Sequence, residues 1–125
     1  MKELTKAEEQ VMQVLWDIGR GFVKDVLERL PEPRPAYSTV STIIRILERK
    51  GFVSYRAYGK THEYFPLVGR DEYRHFSLKS LVSGYFGGSF RQMVSFFAKE
   101  ENLDLQEFEE LARHVRRDIK KEADE

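Results

Sequence analysis

The sequence predicts a mostly α-helical chain with a small β wing: three helices, a two-stranded ribbon, then a three-helix region. Three observations predict it. Apolar residues recur at helical spacing in six segments. The period falls from 3.6 to 2 only around residues 53–65. Pro, Gly and capping residues stand where those segments should stop and start.

The first helix begins at Thr5, with Glu8 three residues on as a capping box. Ala7, Val11, Val14 or Leu15, and Ile18 form its apolar face, and Gly19 and Gly21 end it. A short second helix fits residues 22–30, with Val23, Val26, Leu27 and Leu30 as its stripe and Pro31 as its stop. "PEPRPA" (31–36) holds three prolines and serves as a stiff connector. The third helix, 38–50, carries Val40, Ile43, Ile44 and Leu47 at i, i+3, i+4 and i+7. Gly51 stands at its C-terminal cap position.

Val53, Tyr55 and Ala57 then alternate with Ser54, Arg56 and Tyr58. Gly59-Lys60 turns the chain, "THEYF" returns it, and Pro66 closes the second strand. Three helices and a ribbon with a basic tip describe a winged helix-turn-helix, assigned to residues 1–69.

Residues 70–125 read as helical throughout. One helix runs from about Asp71 to Phe86, with Tyr73, Phe76, Leu81 and Tyr85 inward, and Gly87-Gly88 break it. Ser89 caps a short helix bearing Phe90, Met93, Val94 and Phe97. Asp104 and Glu107 form a further capping box before a last helix with Phe108, Leu111, Ala112, Val115 and Ile119 on one side. The tail "KKEADE" is expected to fray. This region is too short to bury so many large apolar side chains alone, because domains below roughly 60 residues hide too little surface. Pairing with a second copy solves the problem, and Tyr85, Phe90, Phe97, Phe108, Leu111 and Val115 are the candidate contacts.

Composition narrows the chemistry. The 125 residues hold no cysteine, which removes disulfides, thiolate metal sites and thiol catalysis. "MKELTKAEEQ" has no apolar core of a secretory signal, and no apolar run reaches bilayer length. A cytoplasmic location without membrane insertion is expected. His62, His75 and His114 fall in three separate elements, and no catalytic or metal-ligating constellation emerges. No enzymatic activity, metal or cofactor is expected.

Basic and acidic residues balance at 21 each, but not locally. Residues 33–60 hold Arg34, Arg45, Arg49, Lys50, Arg56 and Lys60 against one acid, Glu48. A polyanion responds to such local charge. On a helical wheel Ser38, Ser41, Thr42, Arg45 and Arg49 share the face opposite the apolar stripe. Ser and Thr are mediocre helix formers, so propensity does not explain them. One reading makes Ser38 an N-cap and the rest a solvated face. The other fits small hydroxyls into a DNA groove, where Ser, Thr and Arg bond phosphates and base edges. Candidate DNA contacts are Ser38, Thr39, Ser41, Thr42 and Arg45 on the helix, with Arg56 and Lys60 on the wing. Tyr55, Tyr58 and Tyr64 suit base stacking in a single-strand binder, although the ribbon is narrower than an open sheet. "RHVRRDIKK" (113–121) reads as a solvated helix face.

The stretches "LTKAEEQVMQVLWDIG", "AYSTVSTIIRILERKGFV" and "GKTHEYFPLV" resemble the penicillinase repressor family, regulators of β-lactamase and methicillin resistance. The resemblance runs from about Leu4 to Val115. It implies a homodimeric repressor whose winged helices bind a palindromic operator in double-stranded DNA. It places the recognition helix at Ser38–Arg45 and the wing tip at Gly59-Lys60. It also implies inactivation by a membrane-bound sensor protease that cuts between an Asn and a Phe in the middle helix of the dimer region. The matching pair here is Phe96-Phe97, without the Asn, and both rings are expected to be buried. The cysteine motif of copper-responsive relatives is missing. Two other readings of the residues stand beside this one: a winged helix used for protein interaction, and a regulator answering a small ligand without proteolysis.

Overall fold

The computed structural model describes residues 1–124; Glu125, the end of the expected fraying tail, lies outside them. The elements are α1 (Lys6–Ile18), α2 (Val23–Arg29), α3 (Tyr37–Arg49), β1 (Val53–Tyr58), β2 (Thr61–Pro66), α4 (Arg70–Phe86), α5 (Phe90–Glu100) and α6 (Leu105–Ala123). They form two compact units, Met1–Leu78 and Lys79 onward, so α4 begins in the first and continues into the second. Among the described residues no helix is long and apolar enough to cross a membrane.

The first unit packs α1, α2 and α3 around Val11, Met12, Leu15, Val26, Val40, Ile44 and Leu47, all fully buried. Met12 takes the inward place expected of Ala7, which is exposed. Phe52, Val53 and Tyr64 close the core from the wing side. The start of α4 also belongs here. The Tyr73 ring packs against Phe52 and Trp16, and its hydroxyl accepts from the Leu4 N–H at 2.9 Å. The Trp16 indole N–H donates to the Val68 carbonyl at 2.9 Å.

Local signals set the helix ends. The Thr5 hydroxyl accepts from the Glu8 N–H, and the Glu8 carboxylate accepts from the Thr5 N–H. At the end of α3, Gly51 adopts φ +81°, which lets its N–H reach the Glu48 carbonyl and the Phe52 N–H reach Leu47. This is a Schellman cap. The start of α3 differs from expectation. Its N-cap is Ala36, with no side-chain cap, so Ser38 stands inside the first turn and is not spent on capping.

Glu8 does a second job. Its carboxylate also takes the Lys50 ammonium at 2.7 and 3.0 Å, joining the start of α1 to the end of α3. Burial pushes the Glu8 carboxyl up, but the Lys50 hydrogen bond and charge and the Thr5 N–H and hydroxyl together hold it below its ordinary value of 4.5. A carboxyl depressed by folding stabilises above its unfolded value and loses that contribution as pH falls through the folded one. Glu8→Gln should therefore cost stability at neutral pH and flatten the acid limb below about pH 4.5. We expect about 2–3 kcal/mol at pH 7, less than for a fully enclosed pair, because the Lys50 side chain is 22% exposed. Urea melts followed by circular dichroism from pH 7 to 3 check both parts; parallel curves for the two proteins would refute the linkage.

The ribbon pairs Val53 with Pro66 through Tyr58 with Thr61, leaving Gly59-Lys60 as a two-residue loop. Gly59 has φ +64°, as a type II′ hairpin requires at its first position. The alternation expected of β1 does not translate into burial. Only Val53 is buried, while Tyr55 and Ala57 are exposed, because the ribbon extends past the core into solvent. A third chain segment joins the sheet: Gly21 and Tyr64 exchange N–H···O bonds of 2.9 and 2.8 Å. A Cβ at Gly21 would stand 2.7 Å from Ile18 Cδ1 and 3.2 Å from Asp25 Cβ, so glycine fits this approach.

In the second unit Ser89 caps α5, accepting from the Gln92 N–H, and Asp104 caps α6, accepting from the Glu107 N–H. The last helix continues to Ala123. Its packing departs most from expectation. Neither α5 nor α6 has a buried residue. On α4 the inward side chain is Val82, while Leu81 and Tyr85 are exposed.

Candidate nucleic-acid interface

The apolar face of α3 is fixed by Val40, Ile44 and Leu47 in the core, which forces the opposite face outward. Ser38, Thr39, Thr42, Arg45 and Arg49 are exposed and Ser41 is half-buried. Two of these groups are partly engaged within the helix. The Thr42 hydroxyl donates to the Ser38 carbonyl at 3.0 Å, and Arg45 Nε donates to the Ser41 carbonyl at 3.4 Å. Thr42 keeps its lone pairs and methyl for an incoming surface, and Arg45 keeps both terminal nitrogens.

An open cleft of about 800 Å³ runs between α2, α3 and the wing. Tyr37, Ser41 and Arg45 line it from α3, Lys60, Thr61 and His62 from the wing side, and Lys24 and Asp25 from α2. The structure thus brings Ser41, Arg45 and Lys60 to one groove. Arg56 is not part of that lining; it stands opposite Glu63 across the ribbon. Lys24 joins the groove although it falls outside the basic window of residues 33–60. The signal available in the sequence was a lysine at the second position of the helix preceding α3.

Charge is also redistributed. Lys50, counted in the basic window, is neutralised by Glu8, and Arg34 pairs with Glu32 at 3.6 Å. Among the described residues Lys24, Arg45, Arg49, Arg56 and Lys60 form no ion pair, so the positive field concentrates on the α3 face and the wing. The wing is stiffened by stacking: the Tyr55 and His62 rings lie 3.9 Å apart at 7°, with Tyr64 beside them. Tyr64 is buried, so it presents no face on which a base can stack. Among the described residues no group of three His, Asp or Glu stands together as metal ligands.

The aromatics at the matched cleavage position are exposed, not buried: Phe96 by 55% and Phe97 by 58%. The candidate dimer contacts Tyr85, Phe90, Phe97, Phe108, Leu111 and Val115 are likewise exposed and all belong to the second unit.

A core of three helices, a two-residue wing tip and an outward polar face on the third helix define a winged helix-turn-helix protein. The sequence matches the penicillinase repressor family over residues 4–117, and the chain belongs to that family. It is 27% identical over 110 residues to the methicillin resistance regulatory protein MecI of Mammaliicoccus sciuri, covering 87% of this chain and 89% of that one. It is 24% identical over 110 residues to the penicillinase repressor of Bacillus licheniformis, covering 87% and 86%. Its fold is similar to the solution structure of the DNA-binding domain of the repressor BlaI, with a TM-score of 0.50 and 25% identity over 58% of this chain and 94% of that one.

Proposed function

We propose that the chain is a sequence-specific, DNA-binding transcriptional repressor that acts as a homodimer on a palindromic operator. The observation that carries this is the outward α3 face, which places Ser41 and Arg45 in one groove with Lys60 of the wing. Ser38, Thr39, Ser41, Thr42 and Arg45 enter the major groove, and Lys60 and Arg56 hold the flanking backbone. Bound DNA should be released by salt, since each neutralised phosphate adds about 0.9 to the log–log slope. Lys60→Ala should lower that slope by about one phosphate and weaken operator and scrambled duplex alike. Fluorescence anisotropy from 50 to 300 mM KCl, with a duplex selected by the protein from a random pool, checks this. Absence of salt-dependent duplex binding by the wild type would sink the reading.

Relief of repression belongs to the same reading. A sensor protease cutting α5 between Phe96 and Phe97 would detach α6 and with it part of the dimer surface. Both rings are accessible in the single chain, whereas the dimer would cover Phe97, so cutting there requires α5 to open locally or the pair to separate first. Immunoblots of induced cells should show a fragment ending near Phe96. Full induction with only intact protein would instead favour a ligand that acts without proteolysis.

A further inference from the structure

One of the chain's three histidines, His62, stands in the cleft that α3 shares with the wing. Its ring lies flat on Tyr55, with centroids 3.9 Å apart at 7°, and meets Tyr64 edge-on at 6.1 Å. The stack covers one ring face and leaves the ring edge, where both nitrogens are. Among the described residues neither nitrogen makes a hydrogen bond, and the one histidine ion pair belongs to His114.

The charges around His62 are mostly positive. Lys24 comes from α2, Arg45 from α3 and Lys60 from the wing tip, and none of the three forms an ion pair among the described residues. The one carboxylate in the lining, Asp25, already accepts from the Phe22 N–H at 2.9 Å. Glu48 borders a neighbouring groove with Arg45, Arg49 and Thr42. Arg56 and Glu63 stand opposite each other on the other face of the ribbon. Tyr37, Tyr55 and Tyr64 supply phenols, a group that carries no charge near neutral pH. An imidazole, by contrast, changes charge between about pH 5 and 8. Neutral, it offers one donor; charged, it offers two donors and a positive charge. A phosphate in contact favours the charged form.

We propose that His62 is a further phosphate contact of the wing, made as the imidazolium, so that the chain takes up a proton there when it closes on duplex DNA. The proposal rests on the DNA-binding reading and adds a residue and a proton to it. Its sign follows from linkage. A group whose bound-state pKa is raised adds affinity in full below its free value and loses it as pH rises through the bound one. Binding therefore tightens on acidification. An ordinary imidazole at about 6.5, raised by about one unit against a phosphate, gives about fivefold per chain between pH 7.5 and 5.5. A phosphate contact reads no sequence, so the gain is the same on selected and scrambled duplex.

The test compares the full-length wild type, His62→Gln, and the double variant His75→Gln/His114→Gln, in which His62 is the sole histidine. Anisotropy at constant ionic strength follows affinity from pH 7.5 to 5.5. Calorimetry at pH 6.5 in two buffers of different ionisation enthalpy counts the protons taken up. Glu8, held below its ordinary value of 4.5, stays ionised across this range, so its bond to Lys50 is not a variable. The wild type and the double variant should both tighten on acidification and take up protons, and His62→Gln should do neither. A wild type without proton uptake, a double variant that loses it, or a folded His62→Gln that keeps it would overturn the proposal. Circular dichroism establishes whether His62→Gln is folded; if it is not, the double variant decides alone. A wild type that binds no duplex at any pH refutes the DNA-binding reading as well, whereas pH-independent binding refutes only the inference.

Discussion

Phe108→Asp should convert the protein into a monomer that binds its operator at least about a hundredfold more weakly, and Leu111→Asp should do the same. Both side chains sit on the exposed α6 stripe, 38% and 49% accessible, in a unit whose last two helices bury nothing. A charge placed in a seam between two copies has no partner and must be desolvated, which costs far more than the lost contact. Because the residues are already exposed in the single chain, the first unit keeps its fold. Operator affinity then falls for a geometric reason. Two linked winged helices bind two half-sites at high effective concentration, and separation removes that gain, typically two to four orders of magnitude. Sedimentation equilibrium and anisotropy on the same samples check the pair of effects; a monomer with undiminished operator affinity would show that half-sites are bound independently.

The second large effect concerns specificity. Arg45→Ala should reduce discrimination between selected and scrambled duplex by about 1–3 kcal/mol, the worth of a good bidentate base contact. Arg45 is exposed on α3, lines the cleft to the wing, and is held by a long bond from Nε to the Ser41 carbonyl that leaves its terminal fork free. Removing it takes away no core packing and no ion pair, so thermal stability should stay within a few tenths of a kcal/mol. Competition titrations with both duplexes measure the ratio directly. Equal losses on the two would make Arg45 a phosphate contact.

The ends of elements in both units were legible because their determinants are local. Thr5 with Glu8, Gly51 after α3, Gly59-Lys60 between the strands, and Ser89 and Asp104 ahead of their helices act within a few residues of where they stand. The α3 stripe was legible for the same reason, and it fixed which residues face outward. What escaped depends on distant partners. Glu8 meets Lys50 across 42 positions, so a residue counted toward the basic field turns out to be neutralised inside the fold. Gly21 looked like a helix terminator and is also a sheet partner of Tyr64. Lys24 reaches the cleft only because α2 packs on α3. In the second unit, periodicity identified apolar faces on α4 and α6 but could not say what they lie against. Val82 is buried, while Leu81, Tyr85, Phe96 and Phe97 are exposed.

The bare α5 and α6 also bear on dosage. With no side chain buried in either helix, their order in the proposed dimer depends on protomer concentration. Below the dissociation constant, dimer abundance follows the square of protomer abundance, so halving the protein cuts operator-competent species about fourfold. Monomers left over would expose Phe97, Phe108 and Ile119 to housekeeping proteases, so that decline accelerates once it begins. A repressor built this way converts a modest fall in its own level into a sharp release of its gene, without an allosteric core.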